Sequence, residues 1–366
     1  MTQTLPLSGR DLFWPPADEL TEAAERIRAS LGDWPPSHSP WRICLTAPDD
    51  ANGGDLIIVA DGEQHGEQVA RWQVQGAGVI EAAAGRVTLH LGGQRYALEG
   101  QLAEDWIAAL AAFLDCGFAP HDALVLALAW RDGDESASDD AWPVDLTRFP
   151  RVAGLPAAPV QPFARCPERL GLYPVLPTAE WVERVVGYGV KTVQLRRKTA
   201  QPGELAQEIA RCVAAGRQHE AQVFINDHWQ AALDAGAYGV HLGQEDLHTA
   251  DLASLAAAGI RLGLSTHGYY EILTALHFRP SYIALGAVFA TTTKVMPTAP
   301  QGLARLARYV RLLDGVLPLV AIGGIDQQVL PQVLATGVGC AAVVRAVTEA
   351  ADPAAAVTAM QQGFTP

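Results

Sequence analysis

The sequence predicts an α/β protein in which a C-terminal (β/α)8 TIM barrel follows a smaller N-terminal α/β domain. Three observations lead there. The chain has 366 residues, 49% of them hydrophobic, which is enough for more than one core. An acidic and then Pro-rich stretch over 131–168 has neither helical nor strand periodicity and reads as a linker. Beyond it, over 169–366, short apolar runs alternate with Ala-rich helical segments about eight times. Such short continuous runs suit strands covered on both faces, and so many units in so short a length fit a barrel better than an open sheet.

Residues 1–130 form the smaller domain in this reading. DLIIVADG (55–62) is strand-like, and GRVTLHLGGQRYALEG (85–100) has the pattern of a hairpin turning at Gly-Gly. A helix is expected from Ala103 to Leu114, and a second, ending near 130, starts at Pro120 or His121 because proline suits a first helical turn. The barrel strands are LYPVL (172–176), TVQLR (192–196), QVFIND (222–227), YGVHLG (238–243), IRLGLS (260–265), SYIALGAVF (281–289), LPLVAIGG (317–324) and GCAAVVR (339–345). No GxGxxG follows the first of them, which disfavours a dinucleotide site.

Charge and cysteine usage narrow the function. A formal net charge of -14 with no run of Lys or Arg argues against nucleic acid or an anionic membrane as partner, so clustered cations are expected to serve a small anion. Cys44, Cys116, Cys166, Cys212 and Cys340 show no CxxC or metal-ligand spacing, the pattern of reduced thiols in a cytosolic protein. The N-terminus lacks the features of a signal peptide, and no apolar run approaches the ~20 residues that span a bilayer. A cytoplasmic protein acting on small molecules is the expectation, and apolar helix faces on the barrel would permit a homo-oligomer.

In such a barrel, chemistry collects at the C-terminal ends of the strands. Polar residues recur there: Gln194, Arg196 and Lys198 after the second strand, Asn226-Asp227 after the third, His241 through Asp246 after the fourth, Ser265-Thr266-His267 after the fifth, Thr291 to Lys294 after the sixth and Gly323-Gly324 after the seventh. Each also has an ordinary explanation; Asn-Asp before a helix, for instance, is a common N-cap. Together, the cations Arg196, Lys198 and Lys294 and the carboxylates Asp227 and Asp246 suggest a Mg2+-diphosphate, since Mg2+ prefers one or two carboxylates plus phosphate oxygens. The Gly323-Gly324 turn and the end of the eighth strand lie where many barrels bind a phosphate through backbone N–H groups.

Residues 169–362 resemble the thiamine phosphate synthase family, through LGLYPVL, TVQLRRK, FIND, YGVHLGQEDL, RLGLSTH, RPSYIALGAVFATTTK, APQGL and VAIGGI in order. The resemblance implies that Gln194 contacts a pyrimidine, that Arg196, Lys198, Asn226, Ser265 and Lys294 serve its diphosphate, and that Asp227 and Asp246 bind Mg2+. It also implies that Thr291, Thr293, Gly324, Val344 and Arg345 surround the phosphate of a thiazole, carboxylated or not. Arg345 departs from the family pattern, which usually has Ser there; a backbone contact survives the change, and a guanidinium can add a charge-assisted bond. No nucleophile triad or catalytic base stands out, as suits a reaction driven by leaving-group stabilisation and proximity. A thiazole tautomerase, which lacks the diphosphate residues, and a non-catalytic thiamine-phosphate sensor are the alternatives. The segment up to residue 130 faintly resembles the C-terminal third of a hydroxymethylpyrimidine phosphate kinase. It has GQLAEDW where such kinases carry a Gly-rich turn and a catalytic Cys or Asp, so a degenerate, non-catalytic domain is expected, with Asp105 a helix-start carboxylate.

Overall fold

Eight parallel strands close into a barrel in the computed structural model, which describes residues 12–35, 37, 39–60, 66–133, 140–198, 201–291 and 298–364. The chain divides into two units, Met1–Leu155 and Pro156–Pro366. In the first, β1 (Phe13–Trp14), β2 (Arg42–Cys44), β3 (Asp55–Ala60) and β4 (Gly78–Ala83) run parallel, and β5 (Arg86–Leu91), β6 (Gln94–Glu99) and β7 (Arg151–Val152) extend the sheet antiparallel in sequence order. The β5–β6 hairpin turns at Gly92 and Gly93, whose φ values of 57° and 76° suit the turn that follows strand twist. Helices Trp106–Asp115 and Pro120–Ala129 are apolar almost all round and almost wholly buried, as that composition requires.

The segment 131–168 is not a featureless connector. Trp142 is 1% exposed and stacks on Trp34 at 4.8 Å, Ala141 N donates to Ser30 O at 2.9 Å, and β7 pairs with β6. Its far end belongs to the second unit, where Ser281 Oγ donates to Ala164 O at 2.7 Å and Arg261 Nε to Arg165 O at 3.0 Å. Among the described residues of this stretch, aromatic anchors and carbonyl contacts hold irregular backbone around one short 3-10 turn, Leu146–Arg148, which leaves no periodicity to read.

The barrel strands are β8 (Gly171–Leu176), β9 (Thr192–Leu195), β10 (Gln222–Asn226), β11 (Gly239–Leu242), β12 (Arg261–Thr266), β13 (Tyr282–Leu285), β14 (Leu319–Ile322) and β15 (Cys340–Val343), with β15 pairing back on β8. All eight expected runs hold one strand. The longest, 281–289, keeps only Tyr282–Leu285 in the ladder; beyond it Val288 N and Phe289 N donate to Ile322 O and Gly323 O. Helices cover the outside, so each strand is apolar on both faces. Inside, Tyr173, Phe224 and Tyr282 meet edge-on or tilted with centroids 5.1 to 5.9 Å apart. Glycines opposite make room for them: a Cβ at Gly263 would lie 2.1 Å from Tyr282 Cζ, and one at Gly239 2.4 Å from Phe224 Cε1. This aromatic layer fills the barrel and forms the floor of what lies above it. Among the described residues, no helix is long and apolar enough to cross a membrane.

Candidate active site

A cavity of about 720 Å³ opens at the C-terminal ends of the barrel strands. Its lining includes Gln194, Arg196, Asn226, Asp227, Ser265, Thr291, Gly324, Val344 and Arg345. Strand register explains the convergence. Gln194 pairs with Phe224, Asn226 with His241 and Ser265 with Ala284, so successive strands deliver their last inward residues to one rim. Gln194 is 4% exposed and Asn226 9%, which in an otherwise apolar wall requires hydrogen-bonding partners.

The Asn226-Asp227 corner does not act as a helix cap. His228 occupies the N-cap position of helix Trp229–Asp234, and no side chain caps that helix. Instead Asp227 adopts φ 63°, a left-handed conformation that Asp tolerates better than most residues, with its N–H donating to His241 O at 3.0 Å. Asp227 is open to the cavity, so solvent reaches its surface, yet the walls around it still restrict hydration of its carboxyl. This desolvation raises its pKa, the charge of Asp246 raises it further, and Arg196 pulls the other way. Asp246 itself is half-buried, and Oδ2 accepts from Gly243 N at 2.8 Å. The two carboxylates therefore interact, although Asp246, unlike Asp227, is not part of the cavity lining.

The opposite sector of the rim is built from backbone. Gly323 and Gly324 follow β14 with φ 105° and 66°, and a Cβ on Gly324 would lie 2.6 Å from Ala290 O, so neither conformation nor space admits a side chain. Val344 precedes the short helix Arg345–Thr348, and Arg345 is exposed on the rim beside Ala346 and Glu349.

Of the remaining sequence-predicted residues, Lys198 is exposed and is not part of the cavity lining, while Thr293 and Lys294 lie outside the described residues. Several residues line the site that sequence reasoning had given no role. His241 sits in the floor at 6% exposure with both ring nitrogens hydrogen-bonded, Nδ1 to Tyr282 OH at 2.7 Å and Nε2 to Ser265 Oγ at 2.8 Å. Gln244 Nε2 donates to Ser265 O at 2.7 Å. His267 directs its backbone N–H and Nδ1 to Glu271 Oε2 at 2.9 and 2.7 Å. Their available signal was a polar residue within or just after a buried run.

Known proteins resemble the barrel unit in sequence. A family profile described as thiamine monophosphate synthase matches residues 172–347, wholly within the barrel unit. A thiamine-phosphate synthase of Neisseria meningitidis serogroup A is 62% identical over 192 residues, which cover 52% of this chain and 93% of that protein. One from Pectobacterium atrosepticum is 54% identical over 191 residues, 52% of this chain and 90% of its own. A solved structure described as thiamine phosphate pyrophosphorylase from Pyrococcus furiosus is 30% identical, with a TM-score of 0.48, and covers 54% of this chain and 96% of that one.

Proposed function

The chain belongs to the thiamine monophosphate synthase family, and on that premise we propose how its barrel, a transferase, joins a pyrimidine carried on a diphosphate to a thiazole phosphate. The products are thiamine phosphate and diphosphate. One observation carries the reading: a single cavity holds a cationic and amide-rich sector around Arg196 and Asn226, and a glycine-backbone sector around Gly323 and Gly324. Two anionic groups on two substrates call for two such sectors. The relatives bear synthase names, which favours neither the tautomerase nor the sensor alternative.

Arg196, Asn226 and Ser265 bind the diphosphate as it leaves, and Gln194 holds the pyrimidine ring. Lys198 and Lys294 join them in the reading that the resemblance supplies. The bond between the pyrimidine methylene and the diphosphate oxygen breaks with its electron pair going to the diphosphate. The thiazole ring nitrogen provides the pair for the new C–N bond, so no proton need be removed and no base is required. The protein contributes charge complementarity at the leaving group and contact between the two rings. Thr291, Gly324 and Val344 hold the thiazole phosphate, Thr293 joins them in the reading that the resemblance supplies, and the Arg345 guanidinium on the cavity rim suits a charge-assisted bond to it.

Asp227 and Asp246 fit Mg2+. Burial and then their mutual repulsion raise the Asp227 pKa, and a dication between them would relieve the repulsion. Among the described residues no cluster of three or more His, Cys, Asp or Glu side chains could hold a metal, so substrate oxygens would complete the shell, as Mg2+ prefers. Bound there, Mg2+ supplies positive charge that stabilises the departing diphosphate.

The test is a coupled assay on the full chain. Hydroxymethylpyrimidine diphosphate, hydroxyethylthiazole phosphate and Mg2+ should give thiamine phosphate, and chelator should abolish it. Folded protein that makes none would refute the reading, and product that persists in chelator would remove the metal from it.

A further inference from the structure

Beneath the cavity, five side chains form one continuous hydrogen-bonded path. Gln194 Nε2 donates to the Tyr173 hydroxyl at 3.3 Å, and that hydroxyl meets Tyr282 OH at 2.8 Å. Tyr282 OH meets His241 Nδ1 at 2.7 Å, and His241 Nε2 meets Ser265 Oγ at 2.8 Å. Both ends, Gln194 and Ser265, line the cavity, while Tyr173 and Tyr282 between them are buried in the barrel.

If every proton on this path is to have a partner, as burial of both tyrosines requires, two polarities remain. Each tyrosine has one hydroxyl proton and a neutral imidazole has one N–H. With Gln194 Nε2 donating into Tyr173, Tyr173 gives its proton to Tyr282, and Tyr282 gives its own to His241 Nδ1. Because Nδ1 then accepts, the ring proton resides on Nε2 and is donated to Ser265 Oγ. The Ser265 proton is left to point away from His241, toward the cavity. The opposite polarity requires the Gln194 amide to turn over, with Oε1 on Tyr173, and obliges Ser265 to donate to His241. What Gln194 offers one substrate group is thus tied to what Ser265 offers another.

Resting on the synthase reading, we infer that Tyr173, Tyr282 and His241 are positioning residues that set the hydrogen-bonding polarity of both ends of this path. They keep Gln194 Oε1 as an acceptor and the Ser265 hydroxyl as a donor. That pair of ends selects an aromatic ring with an exocyclic amine, which needs an acceptor, carrying an anionic leaving group, which needs a donor. Gln244 fixes the backbone of the donor end through Ser265 O. The reversed polarity would present an amide N–H to the amine and a lone pair to the anion, both repulsive.

Two measurements on the full chain test this. The first is the 15N NMR signal of His241, assigned by comparison with His241→Gln. A protonated Nε2 and a bare Nδ1 are expected; a proton on Nδ1 overturns the inference whatever the activity. The second is steady-state kinetics with the pyrimidine diphosphate varied. Tyr282→Phe keeps the ring and cuts the path, and should lower kcat/KM about tenfold, in the range for a lost buried hydrogen bond. His241→Leu should lose at least as much, and His241→Gln, which retains one acceptor and one donor, should recover part. In a Gln194→Ala, Ser265→Ala background Tyr282→Phe should cost less than about threefold more, because both of its routes to substrate are already cut. A Tyr282→Phe variant with a lowered melting temperature and unchanged kcat/KM would make the path structural only and overturn the inference, as would full tenfold losses in both backgrounds. Wild-type protein with its proton on Nε2 but no thiamine phosphate formed would support the polarity and overturn the synthase reading.

Discussion

Replacing Gly263 by alanine tests whether the aromatic floor sets both the stability of the barrel and its chemistry. The new Cβ would stand 2.1 Å from Tyr282 Cζ and 2.4 Å from Cε1 and the hydroxyl oxygen. Carbon atoms rest ~3.5–4.0 Å apart, so the ring must retreat by roughly 1.5 Å. Tyr282 cannot do so and keep hydrogen bonds of 2.8 Å to Tyr173 and 2.7 Å to His241. Overpacking costs about 1–3 kcal/mol and each lost hydrogen bond about 1 kcal/mol, so a loss of about 3–5 kcal/mol is expected. Against a typical stability of about 5–15 kcal/mol this is large. Urea unfolding should show the barrel transition at a clearly lower midpoint. Gly239→Ala strikes Phe224 Cε1 at 2.4 Å, a ring with no hydroxyl, and should lose stability with a smaller loss of turnover. Gly203→Ala, in the first turn of helix Pro202–His219 with nothing within 4 Å, should gain at most about 0.5 kcal/mol, less than in a helix interior. A Gly263→Ala barrel that unfolds at the wild-type midpoint, or that turns over normally, would refute the reasoning.

Asp227→Asn should slow thiamine phosphate formation strongly while stabilising the metal-free protein at neutral pH. Desolvation and the Asp246 charge raise the Asp227 pKa, so the native state holds this proton to higher pH than the unfolded chain does. Stability contributed by this site therefore falls as pH rises from the ordinary carboxylate range through the raised native value, and the full penalty applies above it. Asn removes the penalty and also tolerates φ 63°, so the stability difference should close as pH falls; a gap independent of pH would show that titration is not its cause. The thiols give a separate check on packing. Burial pushes Cys44 up to about 11 and Cys166 and Cys212 up to about 12, and Cys116 and Cys340 are also buried. At pH 8 the native chain should resist iodoacetamide on a timescale that gives five adducts in urea, read by intact mass; rapid native labelling would contradict it. Glu183→Gln breaks an exposed pair with Arg211 and should shift stability by less than about 1 kcal/mol in thermal melts.

The strands were legible because a strand covered on both faces must be apolar throughout, and 172–176 or 192–196 can hardly be anything else. Strand ends were less so. Whether Val288 and Phe289 continue β13 depends on Ile322 O and Gly323 O reaching their N–H groups from more than thirty residues away, which local pattern does not encode. The stretch 131–168 carries no repeating face: Trp142 packs against Trp34, Phe113 and Phe118, and Ala164 O accepts from Ser281 Oγ, contacts that periodicity does not encode. At the site, Arg196, Asn226, Asp227 and Ser265 showed themselves as polar groups after apolar runs, yet Asn226-Asp227 fitted a helix cap equally well. The left-handed φ of Asp227 and the vacant capping role of His228 separate the two, and both are properties of the folded corner.

The path under the cavity shows where sequence reasoning stops for a physical reason. Gln194 and His241 are polar residues inside apolar strands, and burial without partners would cost several kcal/mol, so their presence alone implies acceptors and donors nearby. Strand alternation says that those partners also point inward, which admits Tyr173 and Tyr282 among others. It does not say which are neighbours. Tyr173 and Tyr282 are 109 residues apart in sequence, on β8 and β13, and their hydroxyls meet only because the barrel closes with β15 against β8 and because Gly263 leaves the tyrosine ring room. Parity along a strand is written locally, whereas contact across the barrel depends on closure and on side-chain volume in other strands. Polar groups in the barrel interior are therefore where the sequence can announce that a function-bearing network exists, and where only the folded structure can say what it connects.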